Sequence, residues 1–212
     1  GFSSLAAVHR AKVLPVADGD TPALLPTSAQ VASEDYPLSR RLFLYLPAHP
    51  KPQAMALAEF AQSPAGQAIV ARQGFVSQQI EAQQVNTRPT MPPSYRSLAQ
   101  QARRLSVSLR FQPGSAALDN KALRDIQRVA RYLDQAGKLQ RRAVLVGFGD
   151  PKDTPGRAAL LSRLRAQAVR RVLAREGVEV LELIGLGDDL PVADNEREQG
   201  RLRNRRVEVW VY

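Results

Sequence analysis

The pattern of apolar and polar positions predicts a regular alternation of strands and helices in the second half of the chain. Four segments have the apolar runs or the two-residue alternation of strands: residues 105–111, 143–148, 181–186 and 206–212. Two segments repeat apolar residues at helical spacing: residues 119–135, and a segment that begins at Thr154-Pro155 and ends near Arg175. The valines of the last strand alternate with Glu208, Trp210 and Tyr212, which predicts a half-buried strand. The order βαβαββ predicts the α+β class, as a two-layer sandwich of helices on a mixed sheet.

The first 80 residues have a less regular pattern. Strand-like runs occur at residues 5–8, 13–16 and 41–46, and a helix is predicted over residues 53–61. A second helix has Ser63 as its N-cap, Pro64 at its first position and Gly74 as its C-terminal stop.

The segment between these two regions is rich in glutamine and contains Pro89, Pro92 and Pro93. Proline interrupts helices and central strands, so we expect a linker or a connection that runs over the surface. The predicted organisation is therefore residues 1–80, a linker at 81–104, and a second domain at 105–212.

Composition narrows the available chemistry. The chain has no cysteine, and its two histidines, His9 and His49, are too few for a histidine metal cluster. We therefore expect no enzyme activity, no metal site and no cofactor. No apolar run approaches the ~18 residues of a membrane-spanning helix. The chain opens on Gly1-Phe2-Ser3-Ser4 like the interior of a longer protein, so any export signal would lie upstream.

The net charge of +10 is unevenly distributed. Residues 101–212 contribute 22 Lys and Arg against 14 Asp and Glu, or +8. A basic domain attracts nucleic acid, anionic lipid or an anionic polymer, and an ordinary solvated surface explains the charge equally well. The arginine clusters, such as Arg201–Arg206, are not accompanied by interleaved aromatic residues, so nucleic-acid binding is the lesser alternative.

One arginine stands out on the second predicted helix of this half. At 100° per residue, an apolar stripe is formed by Leu161, Leu164, Ala168, Val169 and Val172. Arg165 falls inside this stripe, where a guanidinium needs a carboxylate or carbonyl partner. Asp150 follows the preceding strand, at the edge where open α/β sheets bind ligands. The two side chains could bind a zwitterion between them, or they could simply pair with each other.

The same residues resemble the signature of OmpA-like domains. The matching blocks, in chain order, are Phe111 with Gly114-Ser115 and Leu118; Gly147-Phe148-Gly149-Asp150; Leu161-Ser162 with Arg165-Ala166; Gly185-Leu186-Gly187 with Pro191; and Asn195, Gly200-Arg201 and Asn204-Arg205-Arg206-Val207-Glu208. The resemblance covers residues 105–212 and includes the fifteen-residue spacing from Asp150 to Arg165.

This resemblance implies a periplasmic module, associated with the cell wall or outer membrane, that binds the diaminopimelate of peptidoglycan peptide stems without a covalent bond. It places the contact on Asp150 and Arg165, with Gly149, Phe148 and Leu161 around them. The chain departs from the family at Phe148-Gly149, where the family has His or Tyr followed by Thr, and at Ala158, where it has Asn. At ~0.5–1.5 kcal/mol for each lost hydrogen bond, affinity could fall tenfold or more, so a domain that serves only as a scaffold is the alternative.

The N-terminal segment resembles the closing portion of a phosphate-type (PstS-like) periplasmic solute-binding domain. The residues that carry this likeness are Tyr36-Pro37-Leu38-Ser39-Arg40, the run 41–46, Phe60, Ser63-Pro64, Gly66-Gln67 and Gly74-Phe75-Val76. The likeness implies a partial α/β lobe whose phosphate-binding groups lie mostly upstream, so phosphate would be bound only with the missing lobe. Such a partial lobe could form a homodimer that covers its exposed core, and an upstream solute-binding or adhesin-like portion could carry the specific function.

Overall fold

A five-stranded mixed sheet forms the centre of the second half of the protein. The computed structural model describes residues 5–8, 12–151, 154 and 156–212. The strands are β1 (Ala82–Gln83), β2 (Arg103–Arg110), β3 (Gln140–Gly147), β4 (Glu179–Gly185) and β5 (Arg206–Val211). Their order across the sheet is β1-β2-β5-β3-β4. β3 and β4 are parallel, whereas the other neighbouring pairs are antiparallel.

Seven helices are present in the described part of the chain: α1 (Ser28–Ala32), α2 (Pro52–Gln62), α3 (Pro64–Arg72), α4 (Pro93–Gln101), α5 (Asn120–Gln135), α6 (Arg157–Arg175) and α7 (Glu198–Asn204). Helix α5 begins where the sequence predicts, because the Asp119 side chain accepts the N–H of Ala122 as an N-cap. Helix α6 begins at Arg157; Pro155, which was expected to open it, lies outside the described residues. The predicted helices on a mixed sheet are confirmed.

The main core lies between one face of the sheet and helices α5 and α6. It is built from the inward side chains of both layers, among them Leu105, Val107, Leu109, Ile126, Val129, Leu133, Leu145, Val169, Val207 and Val209. The alternating valines of β5 therefore lie on the face of the sheet that the sequence predicts as buried. This packing holds the carboxyl ends of β3 and β4 next to the first turns of α6.

The opposite face of the sheet is also covered, and this corrects two predictions. Trp210 and Glu208 of β5 are almost fully buried, so this strand is not half-buried. Helix α4 covers them with Tyr95 and Leu98, within the segment that was predicted to be a helix-free linker. Proline does not prevent this helix, because Pro93 occupies its first position, where no N–H is required for the helical ladder.

Helix α6 is rotated relative to the prediction. Its buried residues are Ser162, Ala166, Val169 and Leu173. Leu164 was predicted to face the core but is 49% exposed. The helix approaches β3 so closely that a Cβ on Gly147 would lie 2.0 Å from the carbonyl oxygen of Ser162. Small residues at this contact, rather than the large apolar ones, determine which face of α6 packs on the sheet.

The N-terminal segment is confirmed in its helices but not in its strands. Helices α2 and α3 form as predicted, and the Ser63 side chain caps α3 by accepting the N–H of Gly66. Residues 41–46 are exposed and form no ladder with the described part of the chain, so the strand predicted there is absent. The run 5–8 contains a 3₁₀ turn (Leu5–Ala7) instead of a strand, and the run 13–16 contributes only the bridge between Val16 and Leu24.

Asp35 joins the N-terminal segment to the sheet. Its carboxylate is 1% exposed and accepts hydrogen bonds from Arg104 Nη2 at 2.5 Å and from Arg110 Nη2 at 3.1 Å. The hydroxyl of Ser108 donates to Oδ1 of the same carboxylate at 3.2 Å. Burial opposes ionisation of this carboxyl, but the charges of Arg104, Arg206 and Arg110 outweigh burial and hold its pKa below the usual range. A buried ion cluster therefore holds residues 33–36 against β2.

Candidate functional site

Asp150 lies just beyond the carboxyl end of β3, as the sequence predicts. The residue is 1% exposed. Arg205 binds its two oxygens as a fork: Nε donates to Oδ1 at 2.9 Å, and Nη2 donates to Oδ2 at 2.9 Å. This bidentate geometry is the strongest way for an arginine to hold a carboxylate. Asp150 is thus oriented by the residue that immediately precedes β5.

Arg165 reaches the same edge of the sheet from α6. It is half-buried rather than core-facing, and its Nη1 lies 3.4 Å from the carbonyl oxygen of Phe148. Burial lowers the pKa of the Arg165 guanidinium, the charge of Asp150 opposes this change, and the charge of Arg205 adds to it. An arginine stays protonated at any physiological pH, so the result is a charged group that burial has partly deprived of its hydration. Such a group gains most from an added anion.

The other three predicted site residues have different roles. The side chain of Phe148 is fully buried in the apolar cluster on the sheet face that α4 covers. The Arg206 guanidinium stacks 3.9 Å from the centre of its ring. Phe148 therefore offers only its carbonyl to the site. The N–H of Gly149 donates to the carbonyl of Gly187 at 2.6 Å. This N–H is therefore used within the fold. Leu161 is half-buried, one turn before Arg165.

Gly149 makes room for Arg165. A Cβ at this position would lie 2.9 Å from Arg165 Nη1, closer than such atoms approach. The missing side chain therefore lets the guanidinium come near the strand end. The departure at Gly149 both removes a possible hydroxyl donor and enlarges the space for the arginine.

The residue that the sequence reading missed is Arg205. The sequence left open that Asp150 pairs with Arg165. In the structure, the arginine that binds both oxygens of Asp150 is Arg205. The hydrogen bond to Asp150 raises the pKa of Arg205. Nη1 of Arg205 also lies 3.5 Å from Oε1 of Glu198. Arg205 was visible as part of the Asn204-Arg205-Arg206 block, but nothing in the local pattern indicates which carboxylate it meets.

Two polar residues support the loops around the site. The Ser162 hydroxyl accepts the N–H of Gly187 at 2.9 Å and donates to the carbonyl of Ala159 at 2.8 Å. The buried amide of Asn204 accepts the N–H groups of Val192 and Ala193 at 2.8 and 3.1 Å. These bonds hold the loop between β4 and α7 in a fixed position beside the site.

The end of α7 connects the site with the N-terminal segment. Arg203 Nη2 donates to the carbonyl oxygens of Glu34 and Asp35 at 3.2 and 3.0 Å. Two residues later, Arg205 holds Asp150. The same short stretch of chain therefore contacts both the buried ion cluster and the candidate site.

The charged groups of the site are suited to binding a charged ligand. The site presents one carboxylate and two guanidinium groups, which suit a zwitterionic or carboxylate ligand. Among the described residues, no group of three or more His, Cys, Asp or Glu side chains could hold a metal ion. In the same part of the chain, no helix is long and apolar enough to cross a membrane.

Comparisons with known proteins agree with this architecture. The sequence model of the OmpA family matches residues 110–205. The peptidoglycan-associated lipoprotein of Pseudomonas aeruginosa is 36% identical over 110 residues, which are 51% of this chain and 64% of that protein. The protein of the same name from Pseudomonas putida is 35% identical over 116 residues, 53% of this chain and 68% of that protein.

A solved structure also resembles part of the chain. The peptidoglycan-associated lipoprotein from Burkholderia pseudomallei has 29% sequence identity and a TM-score of 0.43, and covers 49% of this chain and 88% of its own. The family match includes α5, β3, α6, β4 and α7, and with them Asp150, Arg165 and Arg205 of the site described above. The chain belongs to the OmpA family.

Proposed function

We propose that residues 105–212 bind peptidoglycan without a covalent bond and without catalysis, by holding a diaminopimelate-type peptide stem at Asp150 and Arg165. The observation that carries this proposal is the convergence of these two side chains at the carboxyl edge of β3. The names of the relatives, peptidoglycan-associated lipoproteins, support the class of ligand. The same names support a location in the periplasm, at the cell wall or outer membrane.

The charges at the site match the two ends of an amino acid group. The ammonium of the stem would approach Asp150, and its carboxylate would approach Arg165, whose charge has only a long contact with the Phe148 carbonyl in this structure. Arg205 already occupies Asp150, so the ammonium must share that carboxylate with the guanidinium. A carboxylate has about four lone-pair positions, so it can accept both donors.

The altered neighbours weaken the site without removing it. The Phe148 side chain faces the core and the Gly149 N–H is used internally, so the ligand has fewer donors than in the family pattern. Each missing neutral hydrogen bond costs about 1 kcal/mol. We therefore propose an affinity that depends on the two ionic contacts and decreases as salt concentration rises.

Co-sedimentation with diaminopimelate-type peptidoglycan tests the proposal. We expect the wild-type chain to pellet, and Arg165→Ala and Asp150→Asn to lose pelleting while their melting transitions remain cooperative. Arg163→Ala is the matched control, because this arginine is exposed on the same helix two residues earlier. Glycan strands stripped of their peptides should not pellet the wild type.

Three results would overturn the site. Equal pelleting of the wild type and both variants would show that other residues bind the wall. If Arg163→Ala lost pelleting to the same extent, the loss in Arg165→Ala would be explained by net charge and not by a specific site. Absence of wild-type pelleting would favour the alternative of a scaffold that no longer binds peptidoglycan.

We further propose that residues 1–80 belong to a phosphate-type solute-binding unit that the wall-binding domain tethers, with the boundary inside residues 81–104. The specific observation in favour is the exposed apolar run of residues 42–46, together with exposed Met55, Leu57 and Phe60 of α2. Such a surface is typical of a segment that packs against further structure, either more of the unit or a second copy of the chain. Titration of this chain with inorganic phosphate should show no binding, whereas a chain extended upstream should bind it. Phosphate binding by this chain alone would contradict the proposal.

A further inference from the structure

The outward side of α6 combines arginines with exposed leucines. The helix contains six arginines and no acidic residue in its sequence RAALLSRLRAQAVRRVLAR. Opposite its buried side lie the residues that we call the α6 outer face: Arg157, Leu160, Leu164, Arg171 and Arg175. Leu160 is 60% exposed and Leu164 is 49% exposed. Large apolar side chains thus lie in the middle of a basic surface.

The charge of this face is not compensated within the described part of the protein. Arg157, Arg171 and Arg175 form no ion pair with a described residue, whereas on α5 both Lys121 and Arg128 are bound to Asp125. The whole chain carries a net charge of +10, so distant acidic groups do not reverse the local field. This face therefore attracts an anionic surface.

We infer that the α6 outer face docks onto an anionic phospholipid membrane surface. Guanidinium groups bind lipid phosphates, and the long arginine side chains can extend past leucines that enter the boundary between headgroups and acyl chains. The helix has 19 residues and a length of about 28 Å, which can lie flat along a bilayer. The arginines lie on the same face as the leucines, while the opposite side of the helix is packed against the sheet, so one surface offers both the charge and the apolar contact.

The leucines favour a lipid surface over nucleic acid or another soluble polyanion. A phosphate backbone is bound by basic side chains, often with aromatic residues that stack on bases. The α6 outer face has no aromatic residue, and leucine contributes nothing to phosphate binding in water. Only a partner with an apolar interior gains free energy by covering Leu160 and Leu164.

This inference is independent of wall binding. Arg165 lies about 110° around the helix from the middle of the α6 outer face, so substitutions there leave the Asp150 site unchanged. Peptidoglycan co-sedimentation of each variant then distinguishes a lost membrane contact from a lost wall site.

Vesicle flotation tests the charge requirement. The probe is vesicles of phosphatidylglycerol and phosphatidylcholine in equal parts, with pure phosphatidylcholine as the neutral comparison. We expect the wild type to float with the anionic vesicles, and the triple variant Arg157→Gln, Arg171→Gln and Arg175→Gln to lose partitioning on the order of 100-fold at low salt. The control is the triple variant Arg103→Gln, Arg131→Gln and Arg142→Gln, which removes the same charge from exposed positions elsewhere. Equal loss in the two triple variants, or no flotation of the wild type, would overturn the inference.

A second pair of variants tests insertion. Leu160→Ser with Leu164→Ser should lower partitioning into anionic vesicles at least tenfold and leave binding to inorganic polyphosphate unchanged. Leu123→Ser, on α5 and 44% exposed, is the control and should have no effect. If the leucine substitutions leave vesicle binding intact while the arginine substitutions abolish polyphosphate binding, the face is a site for soluble polyanions and the membrane proposal is wrong.

Discussion

Arg205 binds both carboxylate oxygens of Asp150, with Nε and Nη2 each 2.9 Å from an oxygen. The pair joins the end of β3 to the start of β5 across the edge where the candidate ligand site lies. Asp150 is buried, and the fork from Arg205 sets its orientation before any ligand arrives. The position of Arg205, more than that of Arg165, therefore determines which direction the carboxylate presents to a ligand.

The first prediction concerns Arg205. Arg205→Ala should weaken peptidoglycan pelleting, because Asp150 loses the group that orients it, and should lower the free energy of unfolding by about 2–4 kcal/mol. Arg205→Lys keeps the charge but not the fork, so we expect an intermediate affinity. Co-sedimentation and urea unfolding measure the two effects. Tighter pelleting of Arg205→Ala would instead mean that Arg205 competes with the ligand for Asp150.

The second prediction concerns acid stability and Asp35. The pKa of this carboxyl is held below its unfolded value of about 3.9, so the stability that it contributes is complete above that pH and is lost as pH falls below it. Asp35→Asn should be less stable than the wild type at pH 7, and the difference should shrink by pH 3. Urea unfolding at pH 7, 5 and 3 measures this convergence.

The pKa of Glu34 is also lowered: burial opposes ionisation, but the hydrogen bond from Arg41 and nearby basic charges outweigh it. Some acid sensitivity should therefore persist in Asp35→Asn. Parallel stability curves for the wild type and Asp35→Asn would show that the Asp35 cluster does not govern acid unfolding.

The third prediction uses the single tryptophan of the chain. Trp210 is fully buried against Tyr95 of α4, with ring centres 5.2 Å apart. A fragment of residues 103–212 lacks α4 and should show red-shifted fluorescence, dye binding and a lower unfolding midpoint than a fragment of residues 81–212. The reason is that α4 covers the second face of the sheet. Both fragments lack the N-terminal segment, so they differ only in residues 81–102, which contain the two-residue strand β1 and α4. Identical emission spectra would contradict the role assigned to α4.

The fourth prediction concerns the contact between β3 and α6. Gly147→Ala places a Cβ against the carbonyl of Ser162, and neither backbone can give way cheaply. We expect a loss of about 3 kcal/mol in the free energy of unfolding, with weaker peptidoglycan pelleting, since α6 carries Arg165. The control is Gly177→Ala, which has open space and a positive φ of 80°, and should cost only about 1–2 kcal/mol of backbone strain. Equal destabilisation by the two substitutions would show that the close approach is not limiting.

Hydrophobic periodicity and helix-capping residues were sufficient to predict the main elements. The helical spacing of residues 119–135 and the N-cap predicted at Ser63 correspond to α5 and α3 as they occur. Such local signals work because a helix or strand must bury one side, and its sequence records that requirement directly. The edge location of Asp150 followed from the same order of elements.

Tertiary packing determines the rotation of α6 and the burial of the second face of the sheet, which the local sequence pattern does not predict. The rotation of α6 depends on the close contact of Gly147 with Ser162, which the apolar stripe does not reveal. The burial of Trp210 and Glu208 depends on α4, which begins at a proline and comes from a segment of linker-like composition. In each case the deciding partner is distant in sequence.

The sequence by itself determined the order of the main strands and helices after residue 105 and the positions of Asp150 and Arg165 at the sheet edge, because these depend on local periodicity and spacing. The family followed from the resemblance of its motif blocks. Only the tertiary structure decided that Arg205 is the partner of Asp150 and that Asp35 docks the N-terminal segment onto β2. The separations in sequence, 55 positions from Asp150 to Arg205 and 69 positions from Asp35 to Arg104, explain why. Charge pairs over such separations form only after the sheet has brought its strands together, and this chain has too many arginines for sequence to select the right one.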